Sequence, residues 1–334
     1  MRTPLVVAAL LVALLGGACS ADRSDGLVLY SGRSEALIAP LLEDFTRSTG
    51  IKVTTRYGNS AELAAQLLEA GARTPASAFL SQDAGALGAL EEAGRLTALD
   101  SAVLDRVPSR YRSAKGVWVG VSGRSRVLIY NPRLVPAAQL PASVYDLTKP
   151  AYRGRVAYAP TNASFQSFVT GMRVLGGADR TRSFLEGFKA NDPRAFEGNA
   201  QIVDAVNGGE IAMGLVNHYY LYEKAAEAGG LDKVVARNHQ FPGDDPGSLV
   251  NVAGVAVLSD KQGEDSRALV DFLLSRPAQT YFADRTKEYP LIAGVPTSVP
   301  ELPPIARVTG PDVDLAKLDT LAQTLALLDE VGLT

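Results

Sequence analysis

The chain of 334 residues holds a single cysteine and two histidines, and its formal charge at neutral pH is only −3. Each scarcity removes a class of explanation. A lone Cys19 cannot close an internal disulfide. His218 and His239 are too few for a His-rich zinc site. A nearly balanced charge argues against nucleic acid as a partner. Past the N-terminal stretch no segment is apolar over the roughly 20 residues that spanning a bilayer requires. Gly-x-Ser-x-Gly elbows, Walker loops and His-Glu-x-x-His helices are all missing, so an enzyme is not expected. Internal repeats, low-complexity tracts and a Pro/Gly-rich interdomain linker are missing as well.

What is present starts at the N-terminus. Arg2 is followed by the apolar run from Leu5 to Leu15, then by Gly16-Gly17-Ala18, then by Cys19. Charge, apolar core and small residues in that order predict a secretory signal peptide over 1–18. Cys19 stands directly behind the small residues, where bacterial lipoproteins carry the thiol that receives diacylglycerol. Leu15 lies one place upstream of the usual lipobox position, which Gly16 fills. An ordinary signal peptide followed by a chance cysteine is the alternative. Lipidation would leave no free thiol, which suits an oxidising exterior. Residues 19–26 read as a short tether. Loss of Arg2 with the leader leaves 32 basic against 36 acidic side chains, a balance of −4. The length suggests two domains.

Strand and helix alternate along the remainder. Leu27-Val28-Leu29-Tyr30 reads as a strand, and 35–49 as a helix with Leu37, Ile38, Leu41, Leu42 and Phe45 on one face, stopped by Gly50. A strand over 51–55, a helix over 60–70 and a strand over 78–80 follow. A second α/β block has strands at 127–130, 156–158 and 211–216 and helices near 165–175, 181–189 and 201–207. The run 252–258 reads as a return strand. This alternation predicts sheets covered by helices, with ligands at the carboxyl ends of strands, where 31–34 and 81–83 lie.

A set of segments then resembles one family throughout the mature chain. They are Leu29-Tyr30-Ser31-Gly32-Arg33, the run 119–127, Ala159-Pro160-Thr161-Asn162-Ala163-Ser164-Phe165, Lys189-Ala190-Asn191, Gly209-Glu210, Val216-Asn217-His218-Tyr219-Tyr220, Asp245-Pro246-Gly247 and Glu288-Tyr289-Pro290-Leu291. Their number and order resemble the ferric-ion-binding proteins, the substrate-binding lipoproteins of bacterial iron ABC transporters. The resemblance implies an α/β fold of the two-lobe periplasmic-binding-protein type, with two mixed sheets covered by helices and a hinge and ligand cleft between them. It places the N-lobe at 27–122 plus 252–300 and the C-lobe at 123–251 plus 301–334. In the tail, Leu315, Leu318, Leu321, Leu325 and Leu328 suggest a closing helix.

Tyr219 and Tyr220 are the leading candidates for chemistry. They follow the strand 211–216 and so should face the cleft. A phenol of pKa about 10 ligates poorly until a cation expels its proton, and the resulting hard oxygen suits Fe³⁺. Packing under a loop is the plainer reading of two aromatics. In the family both matching positions bind iron. Where some members supply a histidine and a glutamate from the N-lobe, this chain has Ser34 and Gln82, and where others use a third tyrosine it has Phe165. Asp83 is a further possible ligand, or a helix N-cap. The resemblance also implies a synergistic phosphate or carbonate at Asn162, Ala163, Ser164, Asn199 and Asn217, with Arg124 at the cleft. Plain helix capping accounts for Asn162 and Ser164 as well. His218, taken as extended, points away from its neighbours' face as a structural or exposed residue, and His239 falls in a loop without an obvious partner. The expected protein is a monomeric, extracytoplasmic, lipid-anchored carrier of ferric iron to an ABC permease. A same-fold binder of a metal-free anion or small organic solute is the alternative.

Overall fold

The computed structural model describes residues 26–259, 263–297 and 299–334. The 1–18 leader, Cys19 and the tether as far as residue 25 lie outside them. The chain opens with β1 (Leu27–Ser31), α1 (Glu35–Thr49), β2 (Val53–Tyr57), α2 (Ser60–Ala70), β3 (Ala78–Ser81), α3 (Ala84–Glu92) and the one-turn α4 (Ser101–Leu104). β1 and β3 are nearly all apolar because helices cover both their faces, whereas edge strand β2 alternates and stays half exposed. α1 buries Ile38, Leu41, Leu42 and Phe45, and left-handed Gly50 ends it by donating its N–H to the Thr46 carbonyl.

β4 (Trp118–Tyr130) then runs through the middle of the molecule. After it come β5 (Val156–Tyr158), α5 (Ala163–Gly176), α6 (Ala178–Ala190), β6 (Arg194–Ala195), α7 (Asn199–Gly208), β7 (Met213–Asn217), α8 (Tyr219–Ala228) and β8 (Arg237–His239). The chain returns through β9 (Val250–Val257), α9 (Glu264–Leu273), α10 (Arg276–Tyr281) and β10 (Tyr289–Pro290), and ends with α11 (Leu321–Val331).

Strand order is β2-β1-β3-β9-β4-β7-β5-β6, with β8 and β10 also on β4. The two expected mixed sheets are present, joined through β4. Its residues from Trp118 to Ser125 pair antiparallel with β9, and those from Arg126 to Tyr130 pair with β7. β1 is parallel to β2 and β3, and β7 is parallel to β5. Thus β4 and β9 carry the chain between the halves, which explains the missing linker.

Separate cores fill the halves. The first half's core gathers Leu29, Phe45, Phe79, Trp118, Val255 and Phe282; in the second half Phe165, Phe168, Met172, Phe188 and Phe241 form the second core, and Val127, Ile129, Ile202, Val206 and Val216 belong to a further, separate cluster. The tail divides between them, unlike the single closing helix expected. Leu315 and Leu318 lie in a 3₁₀ turn of the first core, pressed onto α3 where a side chain at Gly85 would meet the Leu318 carbonyl at 2.5 Å. Only α11 reaches the second core, through Leu327, Leu328 and Val331, while Leu325 stays exposed. Thr320, with φ −81° and ψ 36°, breaks the run.

Candidate metal and anion site

The carboxyl ends of β1, β3, β5 and β7 meet at a cleft between the two cores. Its wider part, about 380 Å³, is lined by Asn59, Ser60, Gln82 and Asp83 on the first-core side and by Ala163, Gln166 and Ser167 of α5 on the other. It continues into a chamber of about 30 Å³ walled by Gln82, Arg124, Arg126, Ser164 and Asn217.

The first-core face offers few free donors. Ser34 begins α1 with its side chain in solvent and makes no cap bond. Gln82 donates its backbone N–H to Ser60 Oγ at 2.9 Å and accepts the Arg124 guanidinium on its carbonyl. Asp83 caps α3 by accepting the Ala86 N–H at 3.2 Å. Burial pushes its carboxyl above the ordinary range, against the Ala86 N–H and Arg124. The cap reading of Asp83 therefore describes its bonds. Nearby, Arg33 and Glu288 form a buried ion pair at 2.9 Å, closed by the Ser122 hydroxyl. Burial opposes the Glu288 charge, but Arg33 and Arg124 outweigh it and hold the carboxyl below its usual range.

The second-core face is the opposite. Asn162 caps α5, its Oδ1 accepting Ser164 N–H at 3.0 Å and Ser164 Oγ–H at 2.6 Å. Ser164 Oγ in turn accepts from Asn199 Nδ2 and from Arg126 Nη1, both at 3.0 Å, and Arg126 Nη1 also reaches Asn217 Oδ1 at 3.2 Å. Asn162, Ala163, Ser164, Asn199 and Asn217 are thus brought to one α5 N-terminus. The guanidinium at their centre is Arg126, while Arg124 lines the same chamber with its Nη2 turned to Gln82. Arg126 was the residue missed. Its place two residues beyond Arg124 on one strand, opposite Asn217, was a signal available only once the β4–β7 register was known. It is buried, and its Nε and Nη2 have no acceptor. Burial pushes its pKa down to about 9, partly offset by Tyr220 and Tyr219.

Tyr219 and Tyr220 open α8 immediately after β7, as expected from strand 211–216. Their half-buried rings stack at 4.3 Å and 26°. Burial, then the neighbouring Tyr220 phenol, pushes Tyr219 well above its ordinary value, with Arg124 pulling the other way. Without a cation Tyr219 is held protonated; a multivalent cation at its oxygen reverses that preference. Among the described residues no three His, Cys, Asp or Glu side chains gather to hold a metal, which leaves the Tyr219–Tyr220 pair, close enough to Arg126 and Arg124 to interact with them, as the candidate donors.

Two expectations, both on the histidines, are corrected, and Phe165 supplies no donor. Phe165 is fully buried in the second core against Tyr158 and Phe168, out of reach of the cleft. His218 is not extended: at φ −56° and ψ −36° it starts the α8 turn, and its buried ring is pushed down to about 4, first by burial. His239 is no loop residue but the end of β8, paired with Leu128, with Nε2 2.9 Å from the Pro141 carbonyl.

Comparison with known proteins bears on this geometry. The family model of bacterial extracellular solute-binding proteins matches residues 75–317. The Fe(3+)-binding periplasmic protein of Serratia marcescens is 34% identical over 332 residues, covering 99% of this chain and 97% of the relative. Iron-bound HitA from Pseudomonas aeruginosa superposes with a TM-score of 0.82 at 34% identity, over 92% of this chain and 99% of that one. The Trichodesmium protein in complex with iron and citrate ligands superposes at 0.78 with 29% identity, over 92% and 99%. No helix among the described residues is long and apolar enough to cross a membrane.

Proposed function

This chain belongs to the bacterial extracellular solute-binding proteins, in the ferric-ion-binding family, and on that premise we propose that it captures ferric iron outside the cytoplasm and delivers it to an ABC permease. The observation that carries the reading is the stacked Tyr219–Tyr220 pair beside an unneutralised Arg126. Fe³⁺ binds as each phenol loses its proton to water, giving two hard phenolate donors. Two phenolates leave one positive charge on the ion, and Arg126 adds another. A doubly charged anion, phosphate or carbonate, then offsets those two charges. Asn162, Ala163, Ser164, Asn199 and Asn217 hold it at the α5 N-terminus with the Arg126 N–H groups, and Arg124 adds charge from the chamber wall. The first lobe, 27–122 plus 252–300 with the tail as far as Leu318, closes on 123–251 plus α11 about the β4 and β9 crossings. Gln82, Ser34 or water completes the shell; Asp83 stays with its helix. A lipid on Cys19 keeps a monomeric carrier beside its permease. Binding, closure and release suffice, with no catalytic step.

Ferric citrate added to the purified mature protein should produce a visible phenolate-to-iron charge-transfer band that Tyr219→Phe and Tyr220→Phe each weaken or abolish. A wild-type protein without the band, or two variants that both retain it, would overturn the iron reading. Cys19→Ser should move the protein from the membrane to the soluble fraction, and unchanged membrane retention would rule out the anchor.

A further inference from the structure

His218 stands between the tyrosine pair and the first core and has no part in the capture just described. Its backbone belongs to the second half: the N–H donates to the Ser125 carbonyl at 2.9 Å, and its carbonyl accepts Asn238 Nδ2 at 2.8 Å. Its ring does not. Nδ1 accepts the Ser125 N–H at 3.2 Å on β4, and Nε2 lies 3.1 Å from the Lys287 carbonyl. Because Nδ1 accepts from an N–H, the proton is on Nε2, which donates to Lys287. The ring also stacks on Tyr289 of β10 at 4.3 Å and 24°, and meets the Tyr219 ring edge-on at 5.9 Å and 88°.

Lys287 is one of two non-glycine residues with positive φ among those described, at 55°. Its left-handed turn leads into β10, which pairs with Ser122 and Gly123 where β4 leaves the first core. A single buried ring thus joins the β4 crossing, the Lys287–Tyr289 segment of the first core, and the candidate ligand Tyr219. An apolar residue of similar size would fill the space but deprive the buried Ser125 N–H and the part-buried Lys287 carbonyl of these partners.

We infer that His218 is a positioning residue that ties the direction of the Tyr219 phenol to the strands on which the lobes turn. The iron-dependent part of this inference rests on the capture reading; the bridge itself does not. His218→Phe keeps the ring contacts and loses both hydrogen bonds. His218→Gln returns an acceptor and a donor on one side chain.

The experiment compares wild type and both variants in two states. With ferric citrate, His218→Phe should shift the charge-transfer band and release iron to a competing chelator roughly ten- to a hundredfold faster, the range for lost outer-shell partners of a metal site. His218→Gln should recover most of both. Without iron, His218→Phe should raise amide hydrogen exchange in both 122–126 and 286–290, and Gln should restore protection. A folded His218→Phe with wild-type band, release rate and exchange would overturn the inference, as would rescue failing for Gln in both states. If wild type forms no band, the capture reading has failed, and the iron-free exchange alone decides whether the bridge exists. If His218→Phe does not fold, His218→Asn, too short to span both partners, replaces it with the same expectations.

Discussion

The two faces of the cleft bury arginines in opposite ways. On the first-core side, Arg33 keeps an unpaired Nε, but its charge is met by Glu288 at 2.9 Å. On the second-core side, Arg126 is just as buried, bonds only neutral oxygens and leaves two nitrogens without acceptors. A buried charge is tolerated when paired and expensive when not. Arg33 therefore reads as part of the scaffold, and Arg126 as a group awaiting an anion. The rest of each face follows suit. Asp83 is committed to a cap and Ser34 to solvent, whereas Tyr219 and Tyr220 engage each other and the Asn199 Oδ1 is uncommitted. A cleft with one furnished face concentrates its affinity there and leaves the other to complete the shell on closure.

The strongest test of this contrast is stability. Glu288→Gln strands Arg33 and should lower the free energy of unfolding by about 3–5 kcal/mol, the range for breaking a buried pair. Urea denaturation checks it. Glu288 is held below its usual range in the fold, so the pair stabilises fully above the ordinary carboxylate range. That contribution is lost as pH falls through and below it. Arg126→Leu strands no acid and should unfold at no lower urea concentration than wild type. A large loss there would erase the distinction between the two arginines.

A smaller effect falls on binding. Arg126→Leu should weaken phosphate by about 1.5–3 kcal/mol, the contribution of a hydrogen bond to a charged group, read by calorimetry without iron. Unchanged phosphate affinity would remove Arg126 from the anion pocket. Smallest is Asp83. Asp83→Ala should cost about 1 kcal/mol of stability through the lost cap, while Asp83→Asn should keep both the cap and the charge-transfer band. Loss of the band in Asp83→Asn would give the first-core face a ligand after all.

Much of the fold was legible in the chain. The apolar spacing of Ile38, Leu41, Leu42 and Phe45 marked α1, and α2, β1, β3 and β5 fell close to their expected places, because local periodicity reflects which face is buried. Tyr219 and Tyr220 were visible from their position after a strand. The tail was not: the leucine spacing suggested one helix, but contact with α3 through Gly85 draws Leu318 into the first core, and a break at Thr320 follows. Nor was His218, whose ring direction depends on a helical backbone at a residue that read as extended.

By itself the sequence determined the α/β alternation, the glycine stop at Gly50 and the positions of Tyr219, Asn162 and Ser164 at element ends, since all of these rest on local backbone preferences. Only the tertiary structure decided between Arg124 and Arg126, committed Asp83 to its cap and carried the His218 ring to Lys287. Those outcomes depend on which strands pair in which register and on which buried charges find partners, and neither is encoded within any one stretch of chain.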